Sequence, residues 1–281
     1  RLAAVKRLPY TALGEGPPVV LLHGLGGFKE SWGRLPHALA GAGRRVYAPD
    51  LPGSGDAPRP RRPVSSASHA TALAPWIAAL GTVDIIGHSL GAQVALRLAV
   101  EVPGAVRSLT LLAPMVVPWG RHAPRSIHDL LAVPVVGRLL AYGAITRVKH
   151  NAPARRARLL AVVGDPTGIP SDGVEERLLE DAVARLGRAD LRAFTAWASS
   201  GLRDGALRDA ATIDVPALTV IGERDPLPPP AAVARLRRVL GNRPVVSLPR
   251  VGHFPFLEAP DVTFAPIITH LTPRTQGAGA Q

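Results

Sequence analysis

The chain has 281 residues, of which 47% are hydrophobic and none is cysteine. This length allows one α/β domain, or one domain with an insertion, to bury a substantial core. The lack of cysteine excludes disulfides, thiolate zinc sites and a cysteine nucleophile. We expect a cytoplasmic protein, although secretion stays open because the sequence begins at Arg1 rather than at a methionine.

The net charge is +12, from 33 basic and 21 acidic residues. Such a balance can indicate an acidic partner, such as nucleic acid or an anionic membrane. The basic stretch from Arg147 to Leu160 contains no aromatic residue on which bases could stack. We therefore expect no nucleic-acid partner and interpret this stretch as a solvated helix face, with contact at a membrane surface as the minority alternative.

The most apolar segment of the chain runs from Leu130 to Ile145. It is interrupted by Pro134, Gly137 and Arg138, and it is too short to span a bilayer comfortably. We expect no transmembrane segment in this chain.

Strand and helix patterns alternate along the first part of the chain. After an extended start to about Gly14, "PPVVLLHG" predicts a buried parallel strand, "ESWGRLPHALAGAG" a helix and "RRVYAPD" a strand. A loop at 51–63 precedes the helix "SSASHATALAPWIAALG", the strand "VDIIG", a helix from Leu90 and the strand "VRSLTLLAP". This order predicts an α/β fold with a doubly wound, mostly parallel sheet.

The alternation lapses between Pro114 and about Ala211, where only helical patterns occur. One of them is "SDGVEERLLEDAVARLG", with Ser171 as a candidate N-cap. The strand "PALTVIGE", the helix "PAAVARLRRVL", the strand "PVVSLP" and a final helix from about Glu258 then restore the alternation. We expect residues 114–211 to form a helical cap, inserted into an α/β core of residues 1–113 and 212–281.

The segment from Val83 to Val100, "VDIIGHSLGAQVALRLAV", has the pattern of a strand, a sharp turn and a helix. Ser89 lies at the apex, and Gly87 and Gly91 remove the Cβ atoms that would collide there. Such a turn lifts a serine hydroxyl clear of the sheet, close to a helix N-terminus. A serine hydroxyl is a poor nucleophile, so it needs a base and a carboxylate that orients the base.

Later strands supply both partners. Asp225 and His253 each follow a predicted strand, so both are expected at the carboxyl edge of the sheet. Two other acids compete with Asp225: Asp214 lies at the wrong end of its strand, and Glu223 is close enough to the strand to point elsewhere. The chain order of serine, aspartate and histidine is the order expected when a serine turn heads such a sheet.

Five motifs occur in this context and in chain order: "HGLGG", "DLPGSG", "GHSLG", "GERDP" and "GHFPFLEAP". With them, the sequence resembles the α/β-hydrolase superfamily over nearly its whole length. The resemblance implies that Ser89 is the nucleophile, His253 the base and Asp225 the orienting acid. It also implies an oxyanion hole formed by the backbone N–H groups of Leu25 and Leu90.

The resemblance and the complete triad predict a cofactor-free serine hydrolase. It would cleave carboxylic esters of apolar acyl groups through an acyl-enzyme, with a small-molecule ester as its substrate. Carbon–carbon bond hydrolysis, perhydrolysis and acyl transfer on the same scaffold remain alternatives, as does a non-catalytic small-molecule receptor. Epoxide hydrolase and dehalogenase chemistry are disfavoured, because those relatives carry aspartate at the elbow. The oligomeric state stays open.

Aromatic residues of the insertion are the candidates for substrate binding. Trp119, Tyr142 and Trp197, together with Phe194, are either packed in the core of the cap or form the wall of a pocket. Sequence periodicity does not decide between these two positions.

Four further histidines receive no proton-transfer role. The resemblance implies structural roles for His23 and His88, which lie within the first and third motifs. His122 and His128 lack the spacing and the carboxylate partners of a metal site. We therefore expect no metal.

Overall fold

A computed structural model describes residues 8–61, 63–116, 136–168 and 173–272. Within these residues seven strands form one sheet: β1 Tyr10–Leu13, β2 Pro18–Leu22, β3 Arg45–Pro49, β4 Val83–His88, β5 Val106–Leu112, β6 Ala217–Gly222 and β7 Val245–Leu248. The strand order is β1-β3-β2-β4-β5-β6-β7. Only β1 pairs antiparallel, with β3, and the other described pairs are parallel. The predicted α/β class with a mostly parallel sheet is confirmed.

Helices connect the strands and cover the sheet. In the described ranges they are α1 Leu35–Gly41, α2 Ser66–Ala79, α3 Leu90–Glu101, α4 Val136–Lys149, α5 Ala152–Leu160, α6 Val174–Arg188, α7 Leu191–Asp204, α8 Leu207–Thr212, α9 Pro230–Leu240, α10 Pro255–Glu258 and α11 Pro260–Leu271. The first helix is shorter than predicted, because residues 29–34 form turns. The final helix, predicted from about Glu258, begins at Pro260, and the short helix α10 precedes it. None of the described helices is long and apolar enough to cross a membrane.

Two hydrophobic layers enclose the sheet. In β2, Val20 and Leu22 pack in a cluster with α2, α3 and α9, whereas Val19 and Leu21 pack on the opposite face with α1 and α11. This division follows from the strand geometry, because successive side chains point to opposite faces. The sheet is therefore buried on both sides, and its carboxyl edge is left for a site.

Helices α4 to α8 lie between β5 and β6, in the range predicted as a cap. Helix α5 packs against α6, whereas Trp197 and Leu202 of α7 and Ala210 of α8 belong to the core cluster beside α2 and α3. The last two helices of this range thus complete the sheet-covering layer. Gly173 is the N-cap of α6, and Ser171, predicted for that role, lies outside the described residues.

Candidate active site

Ser89 occupies the turn between β4 and α3 with a φ of 54° and a ψ of −120°. A non-glycine residue rarely adopts a positive φ, so the surrounding chain must hold it there. A Cβ on Gly91 would lie 2.1 Å from the carbonyl oxygen of Leu22, and one on Gly87 would lie 2.7 Å from Cα of Ala92. These two glycines therefore permit the close backbone packing that presents the serine.

The structure brings Ser89, His253 and Asp225 together. The Ser89 hydroxyl donates to Nε2 of His253 at 2.9 Å, and Nδ1 of His253 donates to Oδ2 of Asp225 at 2.7 Å. The second carboxylate oxygen of Asp225 accepts the N–H of Leu227 at 2.9 Å. The three side chains are almost completely buried. Each group thus has its partner, in the order that transfers a proton from the serine to the imidazole.

The two rival acids lie elsewhere. Glu223 and Asp214 are both exposed. The N–H of Glu223 donates to Leu248, which continues the pairing of β6 with β7 past the end of the strand. Of the three candidate carboxylates, the structure places that of Asp225 at His253.

Glu258 holds the loop that carries His253. Its buried carboxylate accepts hydrogen bonds from the N–H groups of Gly252 at 2.7 Å and Phe254 at 2.9 Å, on either side of the histidine. It also accepts the N–H of Gly164 at 2.8 Å, from the inserted segment. One carboxylate thus fixes the main chain around His253. Sequence reasoning missed this residue, although an acidic residue inside the apolar "GHFPFLEAP" was a signal for it.

The same loop lies against the chain that follows α5. The N–H of His253 donates to the carbonyl oxygen of Val162 at 2.8 Å. A Cβ on Gly252 would lie 2.3 Å from the nitrogen of Gly164, so a side chain at that position would separate the two segments. This contact ties the inserted helices to the loop of His253.

His23 and His88 form buried hydrogen bonds to the main chain. Nε2 of His88 donates to the carbonyl oxygen of His253 at 2.8 Å. Nδ1 of His23 donates to Gly24, and its Nε2 accepts the N–H of Leu51. Burial lowers the pKa of His23, and burial together with the nearby His253 holds the pKa of His88 well below its usual range. Both rings are therefore neutral and brace the loops around the serine.

The residues predicted to form an oxyanion hole lie beside Ser89. A Cβ on Gly24 would lie 2.8 Å from Cβ of Ser89, which brings the "HGLGG" loop against the serine. Leu90 begins α3, where a backbone N–H has no partner within the helix. Leu25 and Leu90 both line the cavity at Ser89.

That cavity has a volume of about 480 Å³. Most of its wall is apolar, including Leu159, Leu186, Leu191, Phe194 and Leu227. Phe194, whose position the sequence left open, is thus part of the wall. Leu159, Leu186 and Leu191 come from helices whose meeting faces the sequence did not indicate, and Leu227 lies in the loop after β6.

The aromatic candidates for substrate binding are placed differently. Trp197 is 1% exposed, donates its Nε1 hydrogen to Oγ of Ser66 at 3.0 Å and packs edge-on against His69. Tyr142 is 42% exposed on α4. Neither side chain is among the described residues that line the cavity at Ser89. Trp119 lies outside the described residues.

Three cations of the basic stretch also line the cavity. Lys149 is at the end of α4, and Arg155 and Arg158 lie on α5. Arg158 is exposed, as the interpretation of a solvated helix face predicts, whereas Lys149 and Arg155 are partly buried. The pattern within one helix does not indicate which of its residues border a cavity.

No cluster of three or more His, Cys, Asp or Glu side chains able to hold a metal occurs among the residues that the structure describes. His122 and His128 lie outside those residues.

A doubly wound sheet with a serine on a strand-to-helix turn, bonded to a histidine and an aspartate from later strands, defines an α/β fold of the hydrolase type. The chain belongs to the alpha/beta hydrolase family, whose model matches residues 19–266. It is a hydrolase of this fold.

Relatives of the chain include esterases. It is 34% identical over 243 residues to a pimeloyl-(acyl-carrier protein) methyl ester esterase of Neisseria meningitidis serogroup B, covering 85% of this chain and 86% of that protein. It resembles the solved esterase EaEST from Exiguobacterium antarcticum, with a TM-score of 0.76, 18% identity and 94% of both chains covered. For the enol-lactonase from Burkholderia xenovorans LB400 the TM-score is 0.74, with 19% identity over 95% of this chain and 96% of that one. At these identities the two structures show the shared fold alone.

Proposed function

We propose that this protein is a cofactor-free serine esterase that cleaves carboxylic esters of apolar acyl groups through an acyl-enzyme. The observation that carries the proposal is the hydrogen-bonded chain from Ser89 through His253 to Asp225, with distances of 2.9 and 2.7 Å. This chain opens into a mostly apolar cavity, which suits a hydrocarbon acyl group.

In the first half of the reaction, Oγ of Ser89 attacks the ester carbonyl carbon while Nε2 of His253 takes the hydroxyl proton. The carbonyl oxygen becomes negative and accepts hydrogen bonds from the N–H groups of Leu25 and Leu90. Each such donor is worth about 2.7 to 4 kcal/mol where it has been measured. His253 then returns the proton to the departing alkoxide, so that the alcohol leaves and the acyl group stays on Ser89.

In the second half, water replaces the alcohol. His253 takes a proton from the water as its oxygen attacks the acyl carbon, and then returns that proton to Oγ of Ser89 as the carboxylic acid departs. The negative charge of Asp225 stabilises the imidazolium in both halves and keeps the Nδ1 hydrogen directed away from the serine.

The substrate proposal follows from the cavity. We propose that residues 114–211 act as a cap whose α5, α6 and α7 supply much of the apolar wall, with Leu159, Leu186 and Phe194 as contacts of the acyl chain. The N. meningitidis relative is named for a methyl ester, and we propose an ester of a similarly small alcohol for this protein.

The test is hydrolysis of a short nitrophenyl ester by the wild-type protein and by Ser89→Ala. We expect a loss of about 10⁴-fold or more in kcat for Ser89→Ala, because the nucleophile is removed. Ser247→Ala is the matched control, since its hydroxyl lies on β7 and bonds to Arg237. Activity of Ser89→Ala within about tenfold of the wild type would contradict the proposal.

A further inference from the structure

The charged residues of the cavity wall all have one sign. Lys149, Arg155 and Arg158 line the cavity at Ser89, and the described wall contains no aspartate or glutamate. The remaining wall is mostly apolar, and Lys149 and Arg155 are partly buried in it, whereas Arg158 is exposed at its rim.

Two of the cations are fixed by neutral groups. Nζ of Lys149 donates to the carbonyl oxygen of Ala189 at 3.0 Å. Nε of Arg155 donates to the carbonyl oxygen of Val183 at 2.6 Å, and its guanidinium also donates to the carbonyl of Lys149. These bonds hold both side chains in place without neutralising their charge. Arg158 has no hydrogen bond or ion pair to another described residue.

Arginines that lie nearby but outside the cavity are paired with carboxylates. Arg156 lies on the same helix as Arg158 and contacts Glu176 at 2.6 Å. Arg59 contacts Asp190 at 3.3 Å. These two arginines therefore have a counter-charge that the cations of the cavity wall lack.

The position of the cations sets their distance from the ester. The carbonyl of Val162, just past the C-terminus of α5, accepts the N–H of His253. Arg158 and Arg155 precede it by about one and two helical turns, or about 6 and 10 Å along the helix axis. A group bound by these arginines would therefore be separated from the reacting carbonyl by a short apolar chain along Leu159.

We propose that the substrate carries an anion, a carboxylate or a phosphate, at the far end of its acyl chain. Arg155 and Arg158, with Lys149, bind this anion while the ester lies at Ser89. Charge-assisted hydrogen bonds to guanidinium groups are about twice as strong as neutral ones, and partial burial, as at Arg155, strengthens them. The inference rests on the proposed function, because it names the substrate class of the same site.

The experiment compares monomethyl esters of dicarboxylic acids with the same esters in which a neutral carboxamide replaces the free carboxylate. For chains of about six to ten carbons we expect kcat/KM to favour the carboxylate by about tenfold or more. A ratio near one, or one that favours the carboxamide, would overturn the inference. The same comparison is made with esters that carry a phosphate in place of the free carboxylate. The anion whose kcat/KM exceeds that of the carboxamide by the larger factor identifies the chemistry of the natural group.

Two pairs of variants test which residues carry the preference. Arg158→Ala and Arg158→Glu should lower the carboxylate-to-carboxamide ratio, and the glutamate should bring it to one or below. Arg156→Ala and Arg156→Glu change the net charge equally on the same helix, outside the cavity, and should leave the ratio at its wild-type value. If the carboxylate-to-carboxamide ratio fell equally in both pairs, the preference would come from the overall charge of the protein. That result would refute an anion site at Arg158.

Binding to Ser89→Ala separates this inference from the proposed function. We expect calorimetry to show tighter binding of the ω-carboxylate ester than of the ω-carboxamide, even though this variant cannot turn either over. If the wild type hydrolyses neutral esters and no anion preference appears in rate or binding, the anion site alone is refuted. If no ester is hydrolysed but the carboxylate still binds more tightly, the proposed function is refuted and the anion site stands.

Discussion

Oε2 of Glu258 accepts a 2.7 Å hydrogen bond from the N–H of Gly252, the residue before His253. Because the same carboxylate also accepts the N–H groups of Phe254 and Gly164, it joins the loop of His253 to the inserted segment. Glu258 contacts no reacting atom, so it is a positioning residue for the histidine.

Glu258→Gln should lower kcat by about tenfold while KM changes little. The amide group turns an –NH₂ towards a backbone N–H and leaves a buried donor unsatisfied, at a cost of about 1 to 3 kcal/mol. Steady-state kinetics with a nitrophenyl ester measures kcat and KM separately. Glu223→Gln, at an exposed acid on the neighbouring loop, is the control. Wild-type kcat in a folded Glu258→Gln protein would refute the positioning role.

Asp225→Asn should lower kcat on the order of 10³- to 10⁴-fold, because the amide no longer holds the Nδ1 hydrogen or supports the imidazolium. The change keeps the size of the side chain, so the thermal unfolding midpoint should move little. Asp214→Asn, at an exposed acid before β6, should retain full activity. Comparable losses in both variants would show that Asp225 does not orient the base.

Acid should destabilise the fold through the buried histidines. Both ring nitrogens of His69 lack a hydrogen-bond partner among the described residues, and burial, with a smaller effect of the neighbouring His23 when both rings would be protonated, lowers its pKa to about 3. Between about pH 3 and pH 6.5, the His69 side chain of the unfolded chain binds a proton that the folded protein does not bind. The free energy of unfolding therefore falls as the pH falls, by about 1.4 kcal/mol per pH unit for each such histidine.

His69→Leu should flatten this dependence. Urea unfolding at several pH values across that window measures it, and His37→Leu at an exposed histidine is the control. An unchanged slope in His69→Leu, with the same slope in the control, would show that His69 does not take up the proton.

The length of the acyl chain should affect the rate until the cavity is filled. Each buried methylene contributes about 0.8 kcal/mol at most, or up to about fourfold in kcat/KM. We expect an optimum at about four to ten carbons in a series of nitrophenyl esters, and Phe194→Ala, at the cavity wall, should shift it to longer chains. A steady rise to about sixteen carbons with activation at a lipid interface would contradict an acyl site limited to this cavity.

The sheet could be predicted from the sequence, and so could the meeting of Ser89, Asp225 and His253, because the sequence patterns that indicate them are short and continuous. Each follows a short apolar strand, and parallel strands bring their carboxyl ends to one edge. Trp197 was beyond such reasoning, because helical periodicity identifies a buried face without saying whether the core or a cavity covers it. The same holds for Arg155, which bonds to Val183 of α6, and for Glu258, which bonds to Gly164 in the segment after α5. These partners are distant in the sequence and meet only through tertiary packing.

The nucleophile can be identified directly with a fluorophosphonate probe, which phosphonylates an activated serine. Peptide mass spectrometry of the labelled protein should place the adduct on Ser89, at a rate that His253→Ala lowers by several orders of magnitude. An adduct on another residue, or ester hydrolysis that continues after complete labelling of Ser89, would contradict the assignment of Ser89 as the nucleophile.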